Sequence, residues 1–287
     1  MAILKQIKGS LARNLLPRRA YNSHKGQNGR VLIVGGSLEY YGAPLLAGLG
    51  ALYSGADLVY LYVPECNFEV SRSLYPDFIV RSYTGDFLTE RSADAIVKFG
   101  KKCDSILMGP GLGEREQTVD AVLSILNELH IPTVLDAEAM MALKKIDKFP
   151  LSQSLVITPH MNEFRNLVDR DVEVKESDSK SIVLLRSIAM DLHLTVLLKG
   201  ATDYVSSHEG LVEVNKTGNA GMTVGGSGDV LAGLLASLMA QGLEAFDAAR
   251  CAAFYSGHAG DLLRKQKGFA FSASDIAMTL PYAIDKV

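Results

Sequence analysis

The sequence predicts an α/β fold in which helices flank a central, mainly parallel β-sheet in three layers. Short runs of β-forming residues recur along the chain, with helix-patterned stretches between them. The runs are apolar on both faces, as in strands that helices cover on both sides. No Pro/Ser-rich linker, charge block or internal repeat divides the 287 residues, which predicts one domain over residues 1–287.

Six runs qualify as strands, and each ends in a polar or glycine-rich turn. The runs are Val31–Val34, Leu58–Val63, Ser105–Met108, Thr133–Leu135, Leu155–Ile157 and Thr195–Leu198. In a parallel sheet the turns at the carboxyl ends lie along one edge, where such folds bind ligands. The turns comprise residues 35–37, 64–65, 109–113, 136–138, 158–160 and 199–203.

Two segments depart from this alternation. Residues 203–205 and 211–214 flank the polar turn 208–210, which predicts a short antiparallel hairpin and a mixed sheet. Residues 171–180 form the most polar stretch, which predicts a surface loop or the start of a helix.

Residues 1–28 are predicted to form an N-terminal helix and an arm that leads into the first strand. The leading segment is basic and has no acid before Glu39, a pattern that superficially resembles an organelle transit peptide. Pro17 and the turn His24-Lys25-Gly26 favour a native structured segment.

Composition excludes several classes of protein. The 29 basic and 32 acidic residues give a net charge of −3, so no general attraction to nucleic acid or an anionic membrane is expected. No apolar run reaches the roughly 18 residues that a bilayer span requires. Cys66, Cys103 and Cys251 form no C-x-x-C pair, so neither a zinc site nor a disulfide framework is indicated, and a cytoplasmic location is expected.

The glycine-rich segment 218–229 carries the strongest functional signal. An apolar pattern typical of a buried helix follows it over 230–241, with Gly242 as the predicted end. The amides and the dipole at the start of such a helix attract phosphate or a developing oxyanion, and glycine lets the ligand approach the backbone closely.

Asp229, the last residue of this segment, has two interpretations. It is either an acid that caps the helix or a general base beside an anion-binding turn. The glycines among residues 225–228 favour the base, because a simple cap does not need so much backbone freedom. There is no G-x-x-x-x-G-K-[ST] loop, and residues 109–113 lack the spacing of the dinucleotide fingerprint, so a hydride-transferring enzyme is disfavoured.

The motif Gly226-Ser227-Gly228-Asp229 resembles the G-[TA]-G-D loop of the ribokinase-like superfamily. Over essentially the whole chain, the order of motifs is similar to that of one branch, the ADP- or ATP-dependent NAD(P)H-hydrate dehydratases. The matching motifs are Ser23-His24-Lys25-Gly26, Val34–Ser37, Tyr41–Pro44, Gly109–Gly113, Leu135-Asp136-Ala137, Thr158-Pro159-His160, Lys199–Asp203 and Gly218–Asp229.

This resemblance implies a lyase that repairs nicotinamide cofactors. A hydroxyl on the ring of the S-epimer of hydrated NADH or NADPH is phosphorylated and then lost as phosphate, which regenerates the reduced cofactor. The resemblance implies that Asp229 takes the hydroxyl proton and that Gly226, Ser227 and Gly228 stabilise the transferring phosphoryl group. It assigns the hydrate to Ala43, Gly111, His160 and Asp229, and the nucleotide to Lys199, Gly200, Ala201, Thr202, Asp203 and Gly228.

The resemblance also implies Mg²⁺, ADP or ATP as the phosphoryl donor, and a homotetramer. ADP is favoured because the sequence carries no attached epimerase domain. Asp136 and Glu163 are candidate organisers of a metal-bound water or phosphate, although Glu163 alternatively caps the next helix. The chain has Met161-Asn162 where the family usually has Pro-Gly, Ser227 where it has Thr, and Glu138 in place of Asp.

Several alternatives stay open at this point. Lys25 and Arg30 either face phosphates or are solvated, and Tyr40 and Tyr41 either stack on a ring or pack into the core. The whole chain is alternatively a small-molecule kinase that uses the same base without elimination, or a nucleotide sensor in which Asp229 is only a cap. The sequence does not distinguish the hydrate of NADH from that of NADPH.

Overall fold

A computed structural model describes residues 4–146 and 154–285, and its strands form one ten-stranded sheet. The strands are β1 (Lys5–Gln6), β2 (Arg30–Val34), β3 (Leu58–Pro64), β4 (Ile79–Tyr83), β5 (Ser105–Met108), β6 (Thr133–Leu135), β7 (Leu155–Ile157), β8 (Thr195–Leu198), β9 (Asp203–Ser206) and β10 (Val212–Asn215). Their order is β1-β10-β9-β8-β7-β6-β5-β2-β3-β4. Within the described chain only β9 runs antiparallel to its neighbours, which confirms a mixed, mainly parallel sheet.

In the described residues, ten α-helices and four 3₁₀ segments lie between these strands or follow the last of them. The α-helices are α1 (Gly9–Leu15), α2 (Gly42–Tyr53), α3 (Phe68–Leu74), α4 (Ala93–Gly100), α5 (Glu116–Glu128), α6 (Met161–Val168), α7 (Ser179–Asp191), α8 (Ser227–Ala240), α9 (Ala245–Lys267) and α10 (Ala273–Asp285). The 3₁₀ segments are Glu65–Asn67, Glu90–Ser92, Ala137–Lys145 and Ala220–Thr223. Within the described ranges, no helix combines the length and the apolarity needed to span a bilayer.

Alternating side chains of the strands pack into two separate helical layers. In β2, Val31 and Ile33 belong to the core under α2, α8, α9 and α10, whereas Leu32 and Val34 belong to the core under α4, α5, α6 and α7. Successive side chains of a strand point to opposite faces, so one apolar run supplies both cores. The three-layer arrangement predicted from doubly apolar strands is confirmed.

The predicted strands are confirmed, four of them with unchanged boundaries, while β2 and β3 each extend by one residue. The predicted hairpin is present as β9 and β10. The polar stretch 171–180 is a loop that leads into α7, where the Asp178 carboxylate accepts a hydrogen bond from the Lys180 amide at 3.0 Å.

Sequence analysis missed the two edge strands of the sheet. β1 pairs in parallel with β10, and both of its residues are exposed. β4 is paired with β3 alone, and most of its residues are exposed or half-buried. Edge strands lack the doubly apolar pattern by which the other strands were recognised. They are identified only by their hydrogen bonds to a neighbouring strand in the folded protein.

The leading segment contains the predicted helix, α1, which packs against α9. Ala12 is buried, and its carbonyl accepts a hydrogen bond from the Cys251 thiol, with a sulfur–oxygen distance of 3.7 Å. Residues 1–3 lie outside the described part of the chain.

Five neighbouring strands, β8, β7, β6, β5 and β2, bring their carboxyl ends side by side at one edge of the sheet. The turns that follow them contain most of the motifs singled out in the sequence. The fold therefore gathers motifs that lie up to 160 or so residues apart along the chain.

Candidate active site

Helix α8 begins at the glycine-rich segment, at the same edge of the sheet. Gly226 has a φ of +91°, in the left-handed region that favours glycine, and its position lets the chain enter the helix at Ser227. The amides of the first turn, including those of Gly228 and Asp229, have no carbonyl one turn earlier in the helix to bond to. The Ser227 amide donates to the Val224 carbonyl at 3.4 Å, whereas the Gly228 and Asp229 amides are available to an anion, and the helix dipole reinforces the attraction.

A lysine lies beside this helix terminus. The Lys199 ammonium is 2.9 Å from a carboxylate oxygen of Asp136, which also accepts a hydrogen bond of 2.6 Å from the Thr158 hydroxyl. Asp136 is buried, with 3% of its surface exposed. A Cβ on Gly228 would lie 3.3 Å from the Lys199 nitrogen. The first turn of α8 and one ammonium group thus form a single positively polarised surface.

The surroundings of Asp229 raise the pKa of its carboxyl group to about 7. Burial is the largest cause, and the Asp136 carboxylate adds to it, while Lys199 opposes both. An acid with a pKa near the working pH is suited to accept a proton from a substrate hydroxyl. The geometry therefore supports the general-base interpretation, which remains a proposal.

Lys199 keeps its positive charge in spite of its burial. Burial alone would lower the pKa of its ammonium group, but the charges of Asp136, Glu163 and Asp229 outweigh burial and raise it. The lysine therefore stays a cation across the neutral range.

Two cavities meet at the start of α8. The first, of about 730 Å³, is lined by residues of the β2–α2 loop, the turn after β5 and the 3₁₀ segment after β6, and by Asp229. The second, of about 600 Å³, is lined by the turn after β8, by Thr217–Ala220, and by Ser227 and Gly228. The amino-terminal turn of α8 therefore contributes to both cavities and separates them.

The residues that the resemblance assigned to the two ligands fall largely into separate cavities. Those assigned to the hydrate, apart from His160, line the first cavity: Ala43, Gly111 and Asp229. Those assigned to the nucleotide, apart from Thr202, line the second: Lys199, Gly200, Ala201, Asp203 and Gly228.

Three of the predicted site residues do not line the cavity of the ligand to which they were assigned. His160 lines the second cavity instead of the first, and Thr202 and Gly226 are not among the described residues that line either one. His160 follows β7, whose neighbour β8 leads to Lys199, and the two residues form a parallel bridge. This pairing holds the histidine on the side of the second cavity.

Of the two roles predicted for Glu163, helix capping and the organisation of a metal-bound water or phosphate, the structure shows the first. His160 and Glu163 form a capping box at the start of α6: the His160 Nδ1 accepts from the Glu163 amide at 3.2 Å, and the Glu163 carboxylate accepts from the His160 amide at 2.7 Å. Asp136 is already held by Lys199 and Thr158. Among the described residues no group of three or more metal-ligating side chains exists, so this part of the protein does not itself form a metal cage.

A polar network beneath the second cavity fixes the turn after β8. The Asp203 carboxylate accepts hydrogen bonds of 3.0 Å from the Gly200 amide and from the Asn215 side chain. Burial raises the pKa of Asp203 to about 6, although these hydrogen bonds oppose it.

Asp261 in α9 is a site residue that sequence analysis missed. Its carboxylate accepts hydrogen bonds from the Gly218 amide at 3.0 Å and the Asn219 side chain at 3.1 Å, and Asn219 in turn accepts from the Gly221 amide at 3.0 Å. Asp261 thus holds the glycine-rich segment that lines the second cavity. It lies more than 30 residues from that segment within an ordinary helical pattern, so no local signal marks it.

Position and exposure narrow the alternatives that the sequence left for two basic residues and two tyrosines. Arg30 begins β2, and the turn containing Lys25 is held by Asp57 just before β3, so both lie at the amino edge of the sheet, away from the cavities. Tyr40 and Tyr41 are 56% and 49% exposed, which excludes core packing, and Tyr40 lines the first cavity.

The chain is similar to known proteins over nearly all of its length. Residues 31–282 match the family model described as NAD(P)H-hydrate dehydratase. The chain is 36% identical over 278 residues to an ADP-dependent (S)-NAD(P)H-hydrate dehydratase of Nitrosopumilus maritimus, covering 95% of this chain and 94% of that protein. It is 42% identical over 275 residues to a bifunctional NAD(P)H-hydrate repair enzyme of Methanothermobacter thermautotrophicus, covering 94% of this chain. The chain spans about half the length of that relative, 52%.

A solved structure shows the same architecture. The ADP/ATP-dependent NAD(P)H-hydrate dehydratase from Bacillus subtilis, co-crystallised with ATP/Mg²⁺, superposes with a TM-score of 0.87 and 26% identity, covering 100% of this chain and 99% of that one. The predicted ribokinase-like fold is confirmed. By the family model and by its full-length similarity to the Nitrosopumilus protein, the chain belongs to the NAD(P)H-hydrate dehydratase family.

Proposed function

We propose that the protein dehydrates the S-epimer of hydrated NADH or NADPH at the expense of ADP and so restores the reduced cofactor. The observation that carries the proposal is the position of Asp229 in the first cavity, directly after the glycine turn that lines the second. A hydroxyl bound in one cavity and a phosphoryl donor bound in the other would meet at the start of α8.

In the first step, Asp229 takes the proton of the ring hydroxyl. The hydroxyl oxygen attacks the terminal phosphorus of ADP, the bond from that phosphorus to the AMP oxygen breaks, and AMP leaves. Lys199 and the amides at the start of α8 stabilise the negative charge of the transferring group. The near-neutral pKa of Asp229 lets the same residue accept and later release the proton.

In the second step, the carbon–oxygen bond breaks and phosphate leaves with the bonding electron pair. The ring nitrogen supplies its lone pair to the carbon that loses phosphate. The adjacent ring carbon then loses a proton, and its electrons form the double bond of the dihydronicotinamide. Phosphorylation serves this step because phosphate leaves far more readily than hydroxide.

We propose that Mg²⁺ enters with the nucleotide and is held mainly by its phosphates. This fits the described residues, among which no three side chains are placed to ligate one metal ion, and it is how Mg²⁺ is commonly bound in nucleotide sites. The ion supplies charge neutralisation on the phosphates when it is bound. Asp136 and Glu163 stay assigned to the Lys199 pair and the α6 cap.

We also propose a cellular location, an oligomeric state and a domain organisation. The free state of Cys66, Cys103 and Cys251 supports a reducing, cytoplasmic location. The family resemblance supports a homotetramer, which light scattering on the purified protein would test. The continuous sheet that carries both cavities supports one domain for the described residues.

The proposal is tested with chemically hydrated NADH and NADPH, Mg²⁺, and either ADP or ATP. Recovery of the near-ultraviolet absorbance of reduced nicotinamide, with stoichiometric release of phosphate, is expected. An Asp229→Asn variant that still folds serves as the control and should lose recovery. A phosphorylated product that accumulates without recovery would show a kinase, and an unchanged Asp229→Asn variant would show that Asp229 is only a cap.

A further inference from the structure

The charge distribution in the first cavity is strongly uneven. Fourteen residues line it, and five of them carry carboxylates: Glu39, Asp86, Glu114, Glu138 and Asp229. Arg115 is the one basic residue among the fourteen. Burial and the neighbouring acids also raise the pKa of Glu138. Apart from the start of α8, the side chains of this wall therefore disfavour an anion, and Arg115 supplies the one cationic side chain.

The proposed substrate, on which this inference rests, has a neutral reacting ring attached to a pyrophosphate dianion. Its ring hydroxyl must reach Asp229, so the ring lies in the first cavity. One ribose links the ring to the pyrophosphate, so the pyrophosphate also lies beside the acidic side chains of this cavity. Such a group is held only where a cation offsets the repulsion of the carboxylates.

Arg115 is positioned and available for this role. Its guanidinium carbon lies 4.5 Å from the centre of the Phe87 ring, which lines the same cavity. Its backbone caps α5: the carbonyl accepts hydrogen bonds from the amides of Thr118 at 3.0 Å and Val119 at 3.1 Å.

The acids adjacent to Arg115 do not neutralise it. Within residues 4–146 and 154–285, its guanidinium makes no ion pair, and Glu116 is instead paired with Lys145 at 3.3 Å. A planar guanidinium stacked on an aromatic ring keeps its N–H groups free for the paired oxygens of a phosphate.

We propose that Arg115 binds the pyrophosphate of the dinucleotide substrate and is thereby a specificity-determining residue of the first cavity. The acidic remainder of the wall accommodates the uncharged ring and the ribose hydroxyls, which donate hydrogen bonds to carboxylates.

The test compares Arg115→Ala, Arg115→Lys and the unmodified protein. The matched control is Arg91→Ala, which removes the same charge from an exposed position in a neighbouring groove that does not include Arg115. With Arg115→Ala, the KM for the hydrate should rise at least about tenfold, as expected for a lost hydrogen bond between charged groups, while kcat and the KM for ADP stay unchanged. Arg115→Lys should recover part of the loss, and Arg91→Ala should change none of these values.

Fluorescence titration with NADH gives a second readout that does not depend on turnover. Arg115→Ala should weaken NADH binding at least about tenfold, with an unchanged melting temperature. Unchanged KM and NADH affinity, or a loss confined to ADP, would overturn the inference. If the unmodified protein binds NADH in an Arg115-dependent way but dehydrates no hydrate, the proposed function fails and the pyrophosphate site stands.

Discussion

The Lys199 ammonium and the backbone of Gly228 lie so close that a Cβ on Gly228 would be 3.3 Å from the lysine nitrogen. Because Gly228 has no side chain, the Lys199 ammonium can lie against the first turn of α8. This contact joins the turn after β8 to the start of α8, two segments that the sequence separates by almost 30 residues.

Replacing Gly228 by Ala is expected to lower turnover without unfolding the protein. Alanine favours helix formation, so stability should be maintained, but its methyl group displaces the Lys199 ammonium by a few tenths of an ångström or more. A fall in kcat of roughly tenfold to a hundredfold is expected, because catalysis depends steeply on placement. Steady-state kinetics and a thermal melt check this, with Lys265→Ala, at an exposed position of α9 away from the cavities, as the control. Unchanged kcat would contradict the role of the contact.

Replacing Lys199 by Ala is expected to destabilise the protein by about 3 kcal/mol, because it leaves the buried Asp136 carboxylate without its ionic partner. Adding Asp136→Asn to the same chain should restore part of the free energy of unfolding, since the amide carries no charge. Urea unfolding of the two single variants and the double variant measures the coupling between the residues. Strictly additive effects would show that the pair contributes nothing to stability.

The activity of the unmodified protein should rise with pH through about pH 7. Asp229 accepts a proton only when it is ionised, and its pKa lies near 7 because of burial and the Asp136 charge. A plot of log kcat/KM for the hydrate against pH should therefore have a slope of about one below pH 7 and level off above it. A level profile down to about pH 5 would exclude this assignment.

Replacing Asp229 by Asn should abolish most of the turnover while stabilising the fold at alkaline pH. The folded protein holds a proton on Asp229 between its ordinary pKa of 3.8 and about 7, so the stability contributed by this group is lost as pH rises through that window. Asparagine avoids the cost of a buried charge. The melting temperature of the variant should exceed that of the unmodified protein at about pH 8 and approach it at about pH 5, whereas the reverse order would refute the raised pKa.

Replacing Asp261 by Ala should raise the KM for the nucleotide severalfold and leave the KM for the hydrate unchanged. The Asp261 carboxylate holds Gly218 and Asn219, which line the second cavity. Asp191→Ala, at the exposed end of α7, is the matched control. Isothermal titration with ADP measures the effect directly, and equal losses for both ligands would indicate general disruption of the fold instead.

Much of the architecture was predictable because it depends on local patterns. Doubly apolar runs such as Ser105–Met108 mark strands that are buried on both faces, and the glycines before Val230 mark the start of a buried helix. Edge strands such as β4 were not predicted because they pair with a strand on one side only and much of their surface is exposed to solvent. Their assignment depends on partners distant in sequence.

The sequence by itself determined the order of the elements, the edge at which ligands bind, and the chemical types gathered there: glycine amides, one lysine and three aspartates. Tertiary structure alone decided that Asp229 lines one cavity while Gly228 lines the other, that His160 lies on the side of Lys199, and that Asp261 holds the glycine-rich segment. These relationships set the pKa of Asp229, because desolvation and Coulomb interactions depend on distances in space and not on separation along the chain.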